Sequence, residues 1–135
     1  MPIVWKKEMA VHNQIIDDEH KLLICLINGV EIALRAENHG MMVLFLVREL
    51  KTYTKDHFSA EEKIMLEHDY AGFSEHKRAH QDILQQIQAL EESIRKAVDN
   101  EQALDAEELN LIGLLRSWII DHVLQVDLKM RPLFD

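Results

Sequence analysis

The amino-acid sequence predicts an all-α chain, an up-down-up-down antiparallel four-helix bundle preceded by an extended N-terminal arm. Three observations carry that expectation. Only four Gly and two Pro occur among 135 residues, too few breakers for many short strands and tight turns. Apolar residues recur at steps of three and four, the spacing of one helical face. Short polar joins separate four such patterns, and short joins make successive helices antiparallel neighbours. No repeat, low-complexity tract or linker divides the sequence, so residues 1–135 read as one domain, long enough for a core of its own.

The elements follow in order. Residues 1 to about 15 are expected to form the arm, packing Ile3 or Trp5 on the bundle. A first helix over about 16–38 presents Ile16, His20, Leu23, Ile27, Val30 and Leu34 on one face. Asp17, Asp18 and Glu19 put negative charge in its first turn, where the helix dipole favours it. Asn38-His39-Gly40 is its expected stop, with Gly40 able to take a positive φ. A second helix, about 41–67, faces inward with Val43, Leu46, Leu50, Tyr53, His57, Ala60, Glu61 and Ile64, and "DYAGF" breaks it. Ser74 is the expected cap of a third helix, about 74–98, whose face is Phe73, His76, His80, Ile83, Ile87, Leu90 and Ile94. Asp105 and Glu108 resemble a capping box opening a fourth helix, about 105–129. Its face is Leu111, Leu115, Trp118, His122 and Val126, and Pro132 limits its extension. Met41, Met42 and Met65 read as packing residues, Cys25 as a small apolar filler, and His39 and His68 as solvated.

Composition removes several function classes. Asp and Glu number 24 against 15 Lys and Arg, a formal charge of −9. That balance repels a phosphate backbone and gives no basic patch for nucleic acid or an anionic membrane. No apolar run reaches the roughly 18 residues of a membrane span, and "MPIVWKKEMAV" lacks the apolar stretch of a signal peptide. One cysteine fits a reducing compartment. These features predict a cytoplasmic protein.

Eight histidines are the unusual feature. "HKRAH" places His76 and His80 four apart, about 40° in azimuth, on one side of a helix and on its apolar face. His20, His57 and His122 also fall on apolar stripes. One such histidine is ordinarily a packed core residue with a hydrogen-bond partner. Five in one small bundle leave too many imidazole nitrogens without partners, at about 1–3 kcal/mol for each unsatisfied group. Their positions agree as well. Starts of odd helices and ends of even helices meet at one end of an up-down bundle, and all five histidines lie there.

Two carboxylates join them. Glu61 lies four residues after His57, on the same face, whereas Glu62 is rotated a further ~100° and is expected to be solvated. Asp127 lies five after His122, about 140° away on an ideal α-helix, so a local π-type widening is needed to turn both inward. Five imidazoles and two carboxylates exceed the needs of one tetrahedral zinc. They suit two six-coordinate transition metals bridged by both carboxylates.

Taken together, "IDDEH", "YTKDHFSAEE", "HKRAH" and "WIIDHVLQVD", in this order and with Trp5 ahead of them, resemble the bacteriohemerythrins of the hemerythrin family. The resemblance spans about residues 5–130. It implies a cofactor of two iron ions with a bridging oxo or hydroxo group, and dioxygen as the partner molecule. By the same resemblance His76, His80 and His122 hold one iron, His20 and His57 hold the other, and Glu61 and Asp127 bridge them. Reversible dioxygen binding for carriage, storage or sensing is the implied function, with no net turnover. Leu23, Trp118, Ile119 and Leu124 lie within one turn of the ligand histidines and can wall a dry oxygen pocket, besides packing the core. Tyr53 can act behind His57 or simply pack. The rivals are a di-iron enzyme acting on peroxide or nitric oxide, and a metal-buffering or metal-free helical module. An imidazole-rich, carboxylate-poor set favours carriage over oxygen activation. His12 and the tail "LKMRPLFD" receive no role at this level.

Overall fold

A computed structural model describes residues 2–36 and 40–135, without the side chains of residues 105–109, 119 and 120. The expectations for His39, for the Asp105–Glu108 capping box and for the Ile119 side chain lie outside the described residues. Four long helices form the bundle: α1 Gln14–Leu34, α2 Gly40–Glu67, α3 Phe73–Asp99 and α4 Asp105–Ser117. The fourth continues without a break into a π-helical segment, Trp118–Val126, and a 3-10 tail, Asp127–Leu133. No strand occurs among the described residues, and no described helix is long and apolar enough to cross a membrane.

Helix ends depart from expectation for local reasons. α1 starts at Gln14 because Asn13 caps it, its side chain accepting from the Ile16 N–H at 3.1 Å. Asp17 also accepts from the Val11 N–H at 2.8 Å, which ties the arm to the first helical turn. α1 ends at Leu34, short of 38, and Gly40 takes no positive φ. Gly40 instead opens α2 where a Cβ would lie 3.2 Å from Val98 Cγ2, so the missing side chain permits close approach to α3. α3 begins at Phe73 after Gly72, with no side-chain cap bond, so Ser74 lies inside the helix rather than capping it.

The main core runs along the bundle axis from Leu23, Ile27 and Val30 of α1 to Val43, Val47 and Leu50 of α2, Ile94 of α3 and Leu111 and Leu115 of α4. Ile3 and Trp5 of the arm pack against it, as expected. The arm is pinned by a paired bond: Ile3 N–H donates to Asn28 Oδ1, and Asn28 Nδ2 donates back to Ile3 O, both at 2.9 Å. A second cluster, Val11, Ile16, Met65 and Met130, closes one end of the bundle. The tail builds that closure. Arg131 Nε donates to Ala10 O at 3.0 Å, and its Nη2 bonds Ala10 O and Glu8 O. His12 pairs with Asp135. The residues left without a role thus clasp arm to tail.

Two packing expectations fail. Met41 and Met42 are 68% and 56% exposed, on the outward face of the first turn of α2. Cys25 is exposed, not a filler, because its azimuth falls outside the buried stripe of α1. Met65 is fully buried as a packing residue, and His68 is exposed.

Candidate metal centre

All seven residues of the expected cluster are at most 4% exposed and meet at one end of the bundle. α1 supplies His20, α2 His57 and Glu61, α3 His76 and His80, the π segment His122, and the 3-10 tail Asp127. The π segment solves the five-residue spacing. One π turn is wider than an α turn, so His122 and Asp127 reach the same face.

Each carboxylate splits its oxygens between two sets of imidazoles. Glu61 Oε1 lies 2.7 Å from His76 Nε2 and 3.2 Å from His80 Nε2. Glu61 Oε2 lies 3.0 Å from His57 Nε2 and 3.5 Å from His20 Nε2. Asp127 Oδ1 lies 2.8 Å from His76 Nε2 and 2.9 Å from His122 Nε2, while Oδ2 lies 3.1 Å from His20 Nε2. Two groups of donor atoms result, one of Glu61, His76, His80, His122 and Asp127, the other of His20, His57 and Glu61. Within each, the atoms are within 4.8 Å of one another.

These contacts are short but lack hydrogen-bond alignment. Among the described residues fourteen buried side-chain N and O atoms have no hydrogen-bond partner, and eleven belong to these seven residues. Lone pairs brought so close in a dry interior repel unless a proton or a cation lies between them. The donor set therefore fits a pair of transition-metal ions.

The outer ring nitrogens are oriented separately. His57 Nδ1 donates to Glu19 Oε1 and His80 Nδ1 to Glu62 Oε2, each at 3.0 Å. A carboxylate only accepts, so each Nδ1 carries the proton and each Nε2 lone pair is turned inward. Glu62 is therefore not solvated as expected. Its azimuth beside Glu61 puts it at the α2–α3 seam, within reach of His80. Glu19 and Glu62 each adjoin a cluster residue in sequence, and an acid one step from an inward histidine or glutamate was the available signal for both. Tyr53 packs on the main core, and it is Glu19 that accepts from His57.

A further residue absent from the sequence reading is Phe58. Its ring stacks on His80 at 3.7 Å between centroids and 5° between planes, and meets Trp118 edge-on at 6.0 Å. Its place directly after His57 on a buried stripe was the signal. Leu23 is fully buried and Trp118 3% exposed, both in the main core one step from the imidazoles. Leu124 is half-buried and lines a surface pocket with Ile3 and Met9 of the arm. It also packs against the core cluster that contains Leu23 and Trp118.

The electrostatics follow from this crowding. Burial lowers the pKa of His20, but the Asp127 and Glu61 carboxylates outweigh it and raise it to about 10. His76, with the same opposed influences, is raised to about 9. His57 is raised too, with Glu19 and Glu61 overcoming burial. Burial pushes Glu61 up, yet its four imidazole neighbours hold it well below the ordinary carboxylate value. Asp127 is lowered as well, with His122 and His20 prevailing over burial and the Glu61 charge.

For the metal-free protein the signs are definite. Histidines raised above their unfolded value stabilise fully below about pH 6.5, and that contribution disappears as pH rises through their folded values. Depressed carboxylates stabilise above about pH 4, and acid removes their contribution. Metal uptake must displace the imidazole protons. Loading with ferrous iron at pH 7 should release about two protons per chain, chiefly from His20 and His76, and affinity should fall as pH is lowered. An indicator dye in weak buffer reads this directly; no proton release would mean that the imidazoles are already neutral.

Residues 11–134 match the hemerythrin HHE cation binding domain. The chain belongs to the hemerythrin family. It is 27% identical over 130 residues to the hemerythrin of Themiste dyscrita, covering 96% of this chain and 92% of that one. It is 26% identical to the bacteriohemerythrin of Pseudomonas aeruginosa, covering 90% and 74%, and 26% identical to the myohemerythrin of Sipunculus nudus, covering 96% and 92%. Hemerythrin-family homologues bind oxygen, and a hemerythrin domain implies an iron centre.

Proposed function

We propose that this hemerythrin-family chain binds dioxygen reversibly at a pair of iron ions and carries out no net reaction. One observation supports the reading most: the oxygens of Glu61, and those of Asp127, are each divided between the two imidazole sets. His76, His80 and His122 would hold one iron, His20 and His57 the other, with Glu61 and Asp127 shared and a solvent-derived oxo or hydroxo bridge completing the pair. The three-against-two division leaves fewer protein ligands on the His20–His57 side, which is where dioxygen would bind. When bound, the iron pair supplies the electrons that reversible dioxygen binding needs.

The chain's own residues do the rest. Glu19 and Glu62 fix the orientations of the His57 and His80 rings. Phe58, Leu23 and Trp118 exclude water from the layer above the cluster, limiting the protons available there. An imidazole-rich set supports carriage over the carboxylate-rich chemistry of oxygen-activating bundles. A net charge of −9 argues against nucleic acid as a partner. The setting we propose is the cytoplasm, where an exposed thiol such as Cys25 stays reduced.

His122→Ala is the first test. His122 touches Asp127 on one side of the cluster only. Iron should fall from about two to about one per chain while the helical circular-dichroism signal persists. Iron content equal to that of the unmodified protein would sink the proposed ligand set.

A further inference from the structure

Asp127 differs from the other six cluster residues in how its backbone is held. Those six sit on α1, α2, α3 and the π segment, whereas Asp127 opens the 3-10 tail Asp127–Leu133. A 3-10 run of that length is held poorly by its own hydrogen bonds. Pro132 within it has no N–H to give. The tail therefore keeps its place through contacts to other parts of the chain. Met130 is fully buried in the cluster of Val11, Ile16 and Met65. Arg131 reaches the arm: its Nε donates to Ala10 O at 3.0 Å, and its Nη2 donates to the same oxygen at 2.6 Å and to Glu8 O at 3.2 Å.

The oxygens that Arg131 grips are themselves fixed. Glu8 lies in a 3-10 turn, Lys7–Met9, whose Met9 is buried in the main core. The Ala10 N–H closes that turn on Lys7 O at 3.0 Å. The next residue, Val11, donates its N–H to Asp17 in the first turn of α1 at 2.8 Å. His12 then takes a φ of 70°, uncommon for a residue with a side chain. Such a conformation persists where the surroundings impose it. About one turn after Asp17, α1 carries His20, whose Nε2 lies 3.1 Å from Asp127 Oδ2. The contacts close a ring that runs from Asp127 through Arg131, Ala10, Val11, Asp17 and His20 back to Asp127.

We propose that Arg131 positions Asp127 against His20 through this ring and so governs how firmly the cluster retains iron. Asp127 contacts His76 and His122 through one oxygen and His20 through the other, so a shift of its backbone loosens both donor groups. With the clasp in place, Asp127 withdraws only when Met130 leaves the core and the three charged hydrogen bonds of Arg131 break with it, a local opening of the tail. Without the guanidinium that opening is far easier. The inference rests on the iron reading above and adds to it what keeps the metal in place.

Timed iron loss is the test. The protein is loaded anaerobically with ferrous iron and mixed with the chelator ferrozine, in the unmodified form and as Arg131→Ala and Asn28→Ala. Arg131→Ala should release iron about ten- to hundredfold faster, the effect of losing charged hydrogen bonds on a local opening. Asn28→Ala frees the arm at Ile3 but leaves Ala10 and Arg131 joined, so its rate should stay within about twofold of the unmodified one. Release from Arg131→Ala less than about threefold faster overturns the proposal, and so does equal acceleration in Asn28→Ala, which would make the clasp ordinary arm packing. Should Arg131→Ala not fold, Arg131→Lys replaces it, with about three- to tenfold expected and the same overturning result. A second measurement needs no metal. Amide hydrogen exchange in Asp127–Leu133 should quicken in the Arg131 variant while α3 is unaffected; unchanged exchange in the tail also overturns the proposal. An unmodified protein that takes up no iron defeats the iron reading itself, whereas one that holds iron no more firmly than Arg131→Ala defeats this inference alone.

Discussion

Glu61→Gln should remove iron from both positions together and destabilise the metal-free protein by about 3–5 kcal/mol near pH 6. Glu61 is fully buried and lies within 3.5 Å of four imidazoles. Its two oxygens serve both donor groups, so no variant at a single histidine disturbs as much. Glutamine keeps nearly the same volume, so the loss is of charge rather than packing. Without that charge, the raised pKa values of His20, His57 and His76 lose one of their causes. At pH 6 protonated imidazoles are left in a dry interior with one carboxylate fewer. Near pH 9 to 10 His20 and His76 shed their protons in the unmodified protein as well, and the stability difference should narrow. Chemical denaturation at the two pH values and a colorimetric iron assay measure both effects. Retention of one iron per chain would show that Glu61 serves one metal only.

The second large effect belongs to packing. Phe58→Ala should cost about 3–5 kcal/mol, the usual range for removing a buried aromatic ring. Phe58 is 1% exposed, and its ring is the face on which His80 rests. The deletion opens space beside Trp118, His57 and His122 at the same time. Glu62 still holds the outer nitrogen of His80, so iron should be retained. Water now reaches the layer above the imidazoles, and the oxygenated protein should oxidise irreversibly faster than the unmodified one. A denaturation midpoint and the decay of the visible spectrum in air report the two consequences. An unchanged decay rate alongside the stability loss would reduce Phe58 to a core residue.

Periodicity made the bundle and the convergence of seven side chains legible, because steps of three and four report which residues face inward. The awkward spacing of His122 and Asp127 pointed to a π turn for a similar reason. Two inward groups five apart admit few backbone solutions, and the π segment Trp118–Val126 is one. Periodicity is silent about the seams between helices. Glu19 and Glu62 reach across such seams to His57 and His80, and whether an edge carboxylate does so depends on interhelical angle and rotation. Helix ends escaped for another reason. Asn13 caps α1 through a local bond, and Gly40 serves close approach rather than a left-handed turn; composition alone does not separate those uses. The tail looked featureless because Arg131 clasps backbone oxygens of Glu8 and Ala10, which no side-chain pattern reveals, and His12 meets Asp135 only once the chain ends are folded together.

The most direct test of the central claim is optical. The protein is loaded anaerobically with ferrous iron, exposed to air, and then returned to vacuum or argon while the visible spectrum is followed. A charge-transfer band that rises in air, falls when oxygen is withdrawn and returns over several cycles, at about two irons per chain, is the expected result. A single irreversible passage to the ferric spectrum, or no iron uptake at all, would contradict it.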